Sequence, residues 1–203
     1  VEHLIETGSD GILVAGTTGE SPTLTHDEEF EIFKFVKNVV KGRCKLIMGA
    51  GSNCTATAVM ATGNAKEAGA DAILSVVPYY NKPSQKGLVE HFETIAKSTD
   101  LPILLYNIPG RTGITMKPET IAQIAKENKN VFAVKQSIAD MDVITETVRL
   151  CPEDFVVYSG DDSLTLPMVS VGAHGVISVA SHIIGKEMKD MIHLFKNGNT
   201  KEA

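Results

Sequence analysis

The chain has 203 residues, 43% of them hydrophobic and 22% charged, and its formal net charge at pH 7 is −6. This composition is ordinary for a globular protein, and the negative charge supplies no basic field for gathering nucleic-acid phosphates or anionic lipids. No apolar run approaches the roughly 18 residues of a membrane-spanning helix, and the first residues lack a signal-peptide pattern. The three cysteines form no zinc-ligand spacing and no even disulfide framework. We therefore expect a soluble, cytoplasmic protein with no nucleic-acid or membrane partner.

Short apolar runs recur along the chain at intervals of about one strand-helix unit. The seven runs begin at Gly11, Lys45, Ala72, Pro102, Val131, Phe155 and His174. They do not alternate with polar residues, and continuous runs rich in β-branched residues are typical of strands buried on both faces. The runs therefore predict the strands of a parallel sheet.

The stretches between these runs have the apolar spacing of helices. Phe33, Val36 and Val40 form one apolar stripe, and a capping-box pattern from Thr25 to Glu28 precedes it. Alternating strands and helices predict an α/β fold, which is either a closed (β/α)8 TIM barrel or an open doubly wound sheet.

Length and strand count bear on the choice between these two folds. Seven strands is one fewer than a barrel has, and a barrel typically takes about 250 residues. Residues 1–7 look like the end of a helix, and residues 201–203 are expected to lie inside another. We therefore expect a single barrel domain over residues 1–203 that is truncated at both ends, without its first strand and its C-terminal helices.

Reactive side chains follow the predicted strands at their carboxyl ends, where ligands gather in either architecture. In chain order they are Thr17 and Thr18, Tyr79 and Tyr80, Tyr106, Arg111, Lys135, and Asp161 and Asp162. Each has a structural alternative. The Gly16–Gly19 segment fits a plain tight turn, and the Tyr79–Tyr80 pair fits packing or an interface. The two aspartates have no partner at a ligand-like spacing, so we expect no metal site.

Lys135 is the most informative of these residues. It closes the apolar run Val131–Val134, where desolvation should lower the pKa of its amine and raise the fraction of free base. A free amine can attack a carbonyl, and the Tyr106 hydroxyl at the end of the neighbouring strand can transfer protons. The alternative is a lysine that leaves the strand end and extends its amine into water. This residue alone leaves both interpretations open.

Taken together and in order, the motifs resemble those of the dihydrodipicolinate synthases over essentially the whole chain. The matching segments are Gly16–Ser21, Pro78–Pro83, Tyr106–Gly113, Lys135, Ser159–Asp162 and Gly175–Ser178. The resemblance implies a (β/α)8 barrel that condenses pyruvate with aspartate 4-semialdehyde through a Schiff base, on the route to lysine. It implies neither a metal nor an organic cofactor.

The resemblance also implies a role for each of several residues. Lys135 would form the imine with pyruvate. Tyr106, Thr17 and Tyr80 would relay protons, and Tyr80 would reach into the neighbouring subunit of a homo-oligomer. The substrate-binding residues implied are Thr18 for the pyruvate carboxylate, Arg111 for the semialdehyde carboxylate, and Gly160 and Ile177, which would line the pocket through their backbones.

This sequence departs from the family pattern in two places. After the lysine the family usually has an acidic residue and alanine, whereas this chain has Gln136 and Ser137. In the pocket where the resemblance places inhibition by lysine, Glu29 replaces a histidine and Thr57 replaces a glutamate, while three residues match the family pattern: Ser21, His26 and Asn53. Loss of that glutamate makes feedback inhibition doubtful.

Two other functions compete with the synthase. N-acetylneuraminate lyase shares the lysine, the tyrosine and the glycine-rich turn, but a second small acid needs the cation that Arg111 supplies, whereas a sugar chain needs hydroxyl partners. A non-catalytic keto-acid-binding protein has no need for a reactive amine. Retention of Lys135 together with Tyr106, Thr17 and Tyr80 therefore favours an enzyme.

Overall fold

The computed structural model describes all 203 residues, and its parallel strands alternate with helices. The strands are β1 (Gly11–Val14), β2 (Lys45–Gly49), β3 (Ala72–Val76), β4 (Ile103–Asn107), β5 (Val131–Gln136), β6 (Val156–Ser159) and β7 (Gly175–Val176). The helices are α1 (Glu2–Glu6), α2 (His26–Val40), α3 (Thr55–Ala68), α4 (Gln85–Lys97), α5 (Pro109–Thr112), α6 (Pro118–Glu127), α7 (Met141–Leu150), α8 (Thr165–Ser170) and α9 (Ser181–Lys196), with a 3-10 turn at Ser21–Thr23. All seven predicted strands are confirmed.

The strands form one sheet in the order β1-β2-β3-β4-β5-β6-β7, and every neighbouring pair is parallel. A doubly wound sheet reverses its strand order at a switch point, whereas this order runs in one direction as in a TIM barrel. The predicted barrel topology is therefore confirmed, with β1 and β7 at the two edges of the sheet.

The sheet curls so that the first and last helices meet. His3 Nε2 lies 3.0 Å from the His182 carbonyl oxygen, which joins α1 to α9. Lys189 Nζ donates to the Gly8 carbonyl at 2.7 Å and contacts Asp10 Oδ1 at 2.8 Å. These contacts hold α9 against the segment before β1, and they bring the two edges of the sheet towards each other.

Apolar side chains pack on both faces of the sheet. The outer face packs against the helices in a cluster of 32 buried residues, which includes Phe33, Leu88 and Ile121. The inner face carries a separate cluster made of Ala72, Leu74, Leu104, Tyr106 and Ala133. Because strand residues alternate between faces, the residues on the Tyr106 side point to the barrel interior.

The ends of the helices confirm one prediction from the sequence and contradict another. The capping box is confirmed, since Thr25 N donates to Glu28 Oε2 at 2.8 Å and Glu28 N donates to Thr25 Oγ1 at 3.3 Å. The expectation that residues 201–203 lie inside a helix is wrong. Helix α9 ends at Lys196, because Gly198 takes a left-handed φ of +86° and turns the chain. None of the helices is long and apolar enough to cross a membrane.

Candidate active site

Lys135 lies at the end of β5 with its side chain inside the barrel, and it is only 9% exposed. In the sheet it pairs with Tyr106 on β4 and with Tyr158 on β6. Burial lowers the pKa of Lys135 to about 8, although the charge of Asp162 opposes this shift. The alternative of a lysine that extends into water is therefore wrong, because its amine is held inside the barrel.

Tyr106 lies directly beside this amine. Its ring is buried, and Lys135 Nζ lies 4.4 Å from the ring centroid. At this distance the ring face attracts the ammonium form. This contact confirms the prediction that the two side chains meet at the carboxyl ends of neighbouring strands.

Tyr158 is a second interior tyrosine, which the sequence motifs did not single out. It pairs with Lys135 from the other neighbouring strand. Burial raises the pKa of Tyr158, and so does the charge of Asp10, which precedes β1. Its phenol is therefore influenced by the amino-terminal rim of the barrel, whereas the ring of Tyr106 lies under the amine.

Gly160 follows β6, the neighbour of β5, and Ile177 follows β7, the next strand along the sheet. Gly160 N donates to the Gln136 carbonyl at 2.8 Å, and Ile177 N donates to the Ser159 carbonyl at 2.9 Å. A Cβ atom at position 160 would overlap the Ser137 hydroxyl and would lie 2.9 Å from Lys135 Cε. The absence of a side chain at Gly160 thus makes room for the lysine.

Behind Lys135 and Tyr106, on the outer face, a pair of buried amides joins the ends of β4 and β5. Asn107 Nδ2 donates to Gln136 Oε1 at 2.9 Å and to the Met116 carbonyl at 3.0 Å. Gln136 Nε2 donates to Thr147 Oγ1 at 3.3 Å. The glutamine that departs from the family pattern therefore belongs to a network that holds the two strand ends in register.

Thr17 and Thr18 lie in the loop after β1, at the same rim of the barrel. This loop is a tight turn, in which Ala15 has a φ of +53° and Glu20 N donates to the Thr17 carbonyl at 3.2 Å. Thr17 is half-buried and Thr18 is exposed. Both threonines lie at the carboxyl end of the sheet, as predicted, but no hydrogen bond joins either hydroxyl to Lys135 or Tyr106.

Tyr80 and Arg111 line a cleft of about 550 Å³ beside the rim, together with Tyr79, Lys82 and the Gly110–Gly113 turn. Tyr80 is 89% exposed and has a left-handed φ of +70°. Arg111 is exposed on the short helix α5. The two residues are thus near each other and apart from the buried Lys135–Tyr106 pair.

Asp162 is a residue whose role the sequence did not reveal. Its Oδ2 accepts hydrogen bonds from Val179 N at 3.2 Å and from Ala180 N at 3.0 Å. Its other oxygen is buried without a partner, and its charge acts on Lys135. The carboxylate therefore fastens the loop after β7 to the rim and favours the ammonium form of the lysine. Its position directly after β6, the neighbour of β5, is the signal that could have identified it.

The second departure from the family pattern forms a closed cluster near the start of α2. Glu29 is 8% exposed, accepts a hydrogen bond from Ser21 Oγ at 2.6 Å, and lies 3.2 Å from His26 Nδ1. Asn53 has a different partner, since its Nδ2 donates to the Tyr79 carbonyl at 3.2 Å. The replaced histidine position thus holds a carboxylate that already has two partners within the chain.

The pKa of Lys135 predicts how its reactivity depends on pH. At pH 7 about one amine in ten is neutral, against about one in 3,000 for an ordinary lysine. Protonation removes the lone pair, so the initial rate of attack on a carbonyl should rise about tenfold between pH 6 and pH 7 and should level off near pH 8. Rates of reductive trapping with a keto acid measure this. A rate that still climbs tenfold between pH 9 and pH 10 would contradict the lowered pKa.

Comparisons with known proteins agree with one another along the whole chain. The model of the Dihydrodipicolinate synthetase family matches residues 1–203. A 4-hydroxy-tetrahydrodipicolinate synthase from Desulforamulus reducens is 52% identical over 201 residues, which cover 99% of this chain and 68% of that protein. One from a Synechococcus species is 54% identical over 202 residues, covering 100% of this chain and 66% of that protein.

Solved structures give the same result for the fold. The crystal structure of a lysine-bound DHDPS from Cyanidioschyzon merolae is 50% identical in sequence, with a TM-score of 0.96. The match covers 98% of this chain and 68% of that one. This chain therefore spans about two thirds of the length of these relatives and superimposes closely over that part.

Proposed function

The chain belongs to the dihydrodipicolinate synthetase family, lyases that condense pyruvate with aspartate 4-semialdehyde in lysine biosynthesis, and we propose that it does so through an imine on Lys135. One observation carries this assignment of the nucleophile. Lys135 is a buried amine with a pKa of about 8 that lies against Tyr106 inside the barrel. A lysine that serves only to pair charges has no need of this environment.

In the first half of the reaction, pyruvate reacts with the lysine. The neutral amine of Lys135 adds its lone pair to the keto carbon, the carbonyl oxygen takes up a proton, and loss of water leaves a protonated imine. The positive nitrogen then draws electrons from the methyl group, which gives up a proton and becomes an enamine. The enamine attacks the aldehyde carbon of the second substrate, whose oxygen takes up a proton. The amino group of that substrate then attacks the imine carbon, which closes the ring of the product and releases the lysine.

Proton transfer requires a hydroxyl near the reacting nitrogen, and we propose that Tyr106, whose ring lies against the Lys135 amine, supplies it. We propose that Thr17 and Tyr80 extend this relay. Because Tyr80 is almost fully exposed at the rim of its own barrel, its hydroxyl is available to a second subunit of a homo-oligomer. The relay is then complete only when two chains associate.

Substrate binding is divided between the interior and the cleft at the rim. We propose that Thr18 holds the pyruvate carboxylate, and that Gly160 and Ile177 line the pocket through their backbones. Arg111 in the cleft receives the carboxylate of the semialdehyde, because a planar guanidinium binds a carboxylate through two parallel hydrogen bonds. We also propose a cytoplasmic location, which the three free cysteines support.

Replacing Arg111 by alanine tests this division. The Arg111→Ala variant should form the pyruvate imine at the parent rate, but its KM for the semialdehyde should rise about 10- to 100-fold, as expected for a lost charged hydrogen bond of about 1.5 to 3 kcal/mol. Steady-state kinetics with each substrate varied in turn measure both effects. Lys82 lines the same cleft, so Lys82→Ala is the matched control and should change KM by less than about threefold.

Two results would contradict this role of Arg111. One is an equal loss in both half-reactions, which would place the arginine in the imine chemistry itself. The other is an equal effect of Lys82→Ala, which would show that the cleft contributes only a general positive field. If the parent chain turned over neither substrate, the proposed function would itself be wrong.

A further inference from the structure

The loop that carries Tyr80 has an unfavourable backbone conformation. Tyr80 has a φ of +70° and Lys82 has a φ of +43°, so two residues with long side chains lie in the left-handed region on either side of Asn81. This region is unfavourable for bulky residues, and such a conformation persists only where the surrounding structure holds it. Contacts with the rest of the chain must therefore hold the segment from Tyr79 to Lys82.

Tyr80 itself makes no contact that could fix this conformation. Its side chain is 89% exposed, and neither its backbone N–H nor its carbonyl forms a hydrogen bond. The Asn81 N–H donates to the Tyr79 carbonyl at 2.8 Å, which closes a γ-turn around Tyr80. The form of this turn with a positive φ is rare and strained. The position of the phenol therefore depends on the residues that precede and follow it.

Two asparagine side chains hold those residues in place. Asn81 Nδ2 donates to the Asn53 carbonyl at 3.1 Å, and Asn53 Nδ2 donates to the Tyr79 carbonyl at 3.2 Å. These two hydrogen bonds, which we call the amide clasp, run in opposite directions between the loop after β2 and the loop after β3. Because β2 and β3 are neighbours in the sheet, the amide clasp fastens the strained turn to the barrel.

We propose that Asn53 and Asn81 are positioning residues, whose amide clasp holds the γ-turn at Tyr80 and so directs the Tyr80 hydroxyl away from its own barrel. The inference rests on the proposed function, in which Tyr80 extends the proton relay into a second subunit. Proton transfer depends on distance and angle, so a phenol on a relaxed backbone would spend less time in the productive geometry. Neither asparagine contacts the substrates in this role.

The Asn81→Ala variant removes the amide clasp and keeps the phenol. We expect steady-state kinetics to show a kcat at least about fivefold lower than that of the parent, with KM for each substrate within about threefold. Asn130→Ala is the matched control, because Asn130 Nδ2 donates to the Ala96 and Thr99 carbonyls, each at 3.0 Å, at the opposite rim before β5. This control should keep kcat within about twofold of the parent.

A double-mutant cycle separates positioning of Tyr80 from a general structural role. Tyr80→Phe should lower kcat by about 100-fold, because it removes the hydroxyl of the relay and keeps the ring. In that background, Asn81→Ala should lower kcat by less than about a further twofold, since no hydroxyl remains to be positioned. A purely structural asparagine would cause the same loss in both backgrounds. Sedimentation at the assay concentration measures the oligomeric state of every variant.

Each outcome decides the inference. A loss below about fivefold for Asn81→Ala overturns it, and so does a further loss of twofold or more in the Tyr80→Phe background. A loss that disappears when a higher protein concentration restores the oligomer also overturns it, because the amide clasp then supports association and not the phenol. If Tyr80→Phe keeps full kcat, the relay through Tyr80 and the inference are both wrong, while trapping at Lys135 still stands as a separate test. A parent chain that turns over neither substrate overturns the proposed function as well.

Discussion

Replacing Lys135 by alanine is expected to abolish turnover and to eliminate reductive trapping of pyruvate. The substitution removes the nucleophile, and no nearby group can form an imine in its place. The loss should exceed about 1,000-fold in kcat, since the remaining site keeps only binding and proton transfer. Turnover with both substrates and mass spectrometry of the trapped chain measure the two effects.

The fold should survive this substitution. The unfolded chain holds the Lys135 proton more firmly than the folded chain does, so burial of this amine opposes folding fully below about pH 8 and progressively less between about pH 8 and pH 10.5. Removing it offsets the packing lost with the side-chain carbons. We expect the unfolding temperature of Lys135→Ala to stay within about 4 °C of the parent.

Lys45 on β2 supplies a matched control, because it is also a strand lysine but is exposed and pairs with Asp71 at 3.1 Å. Lys45→Ala should retain full turnover. If Lys135→Ala kept activity within tenfold of the parent, the imine mechanism would be excluded.

The second large effect is expected for Tyr106→Phe. The variant keeps the buried ring that lies beside the Lys135 amine but loses the hydroxyl that transfers protons. General acid–base groups contribute about 100- to 10,000-fold, so we expect kcat to fall by at least 100-fold with the fold unchanged. Circular dichroism and thermal unfolding check the fold, and steady-state kinetics give kcat.

Tyr158→Phe is the matched control for this prediction. Tyr158 pairs with Lys135 from the opposite strand, yet the charge of Asp10 at the other rim acts on its phenol. Loss of that hydroxyl should change kcat by less than about fivefold. The reverse result, a large loss for Tyr158→Phe and a small one for Tyr106→Phe, would show that Tyr158 and not Tyr106 transfers the proton.

Much of the fold could be predicted from the sequence, because the signals that determine it are local. Continuous apolar runs marked all seven strands, and the capping box at Thr25 marked the start of α2. Apolar spacing did not predict the end of α9, because that end depends on a single residue, the glycine at position 198 that turns the chain. Boundaries set by one residue are harder to predict than elements set by ten.

The centre of the site could also be predicted, whereas its surroundings could not. Lys135 and Tyr106 end neighbouring strands, and parallel pairing places such residues side by side. The position of Asp162 after β6 places it at the rim, but its buried oxygen without a partner is a property of tertiary packing and has no sequence pattern. The exposed Tyr80 depends on a second chain for its proposed role, so neither the sequence nor a single subunit reveals its partner.

The most direct test of this account is reduction of the parent chain with borohydride in the presence of pyruvate, followed by digestion with trypsin. Trypsin does not cleave after an alkylated lysine, so the modified peptide should run from Asn130 to Arg149. We expect this peptide to carry the mass of one reduced pyruvate on Lys135, and no modification when pyruvate is omitted. An unmodified Lys135, or a pyruvate adduct on any other lysine, would contradict the assignment of Lys135 as the imine-forming residue.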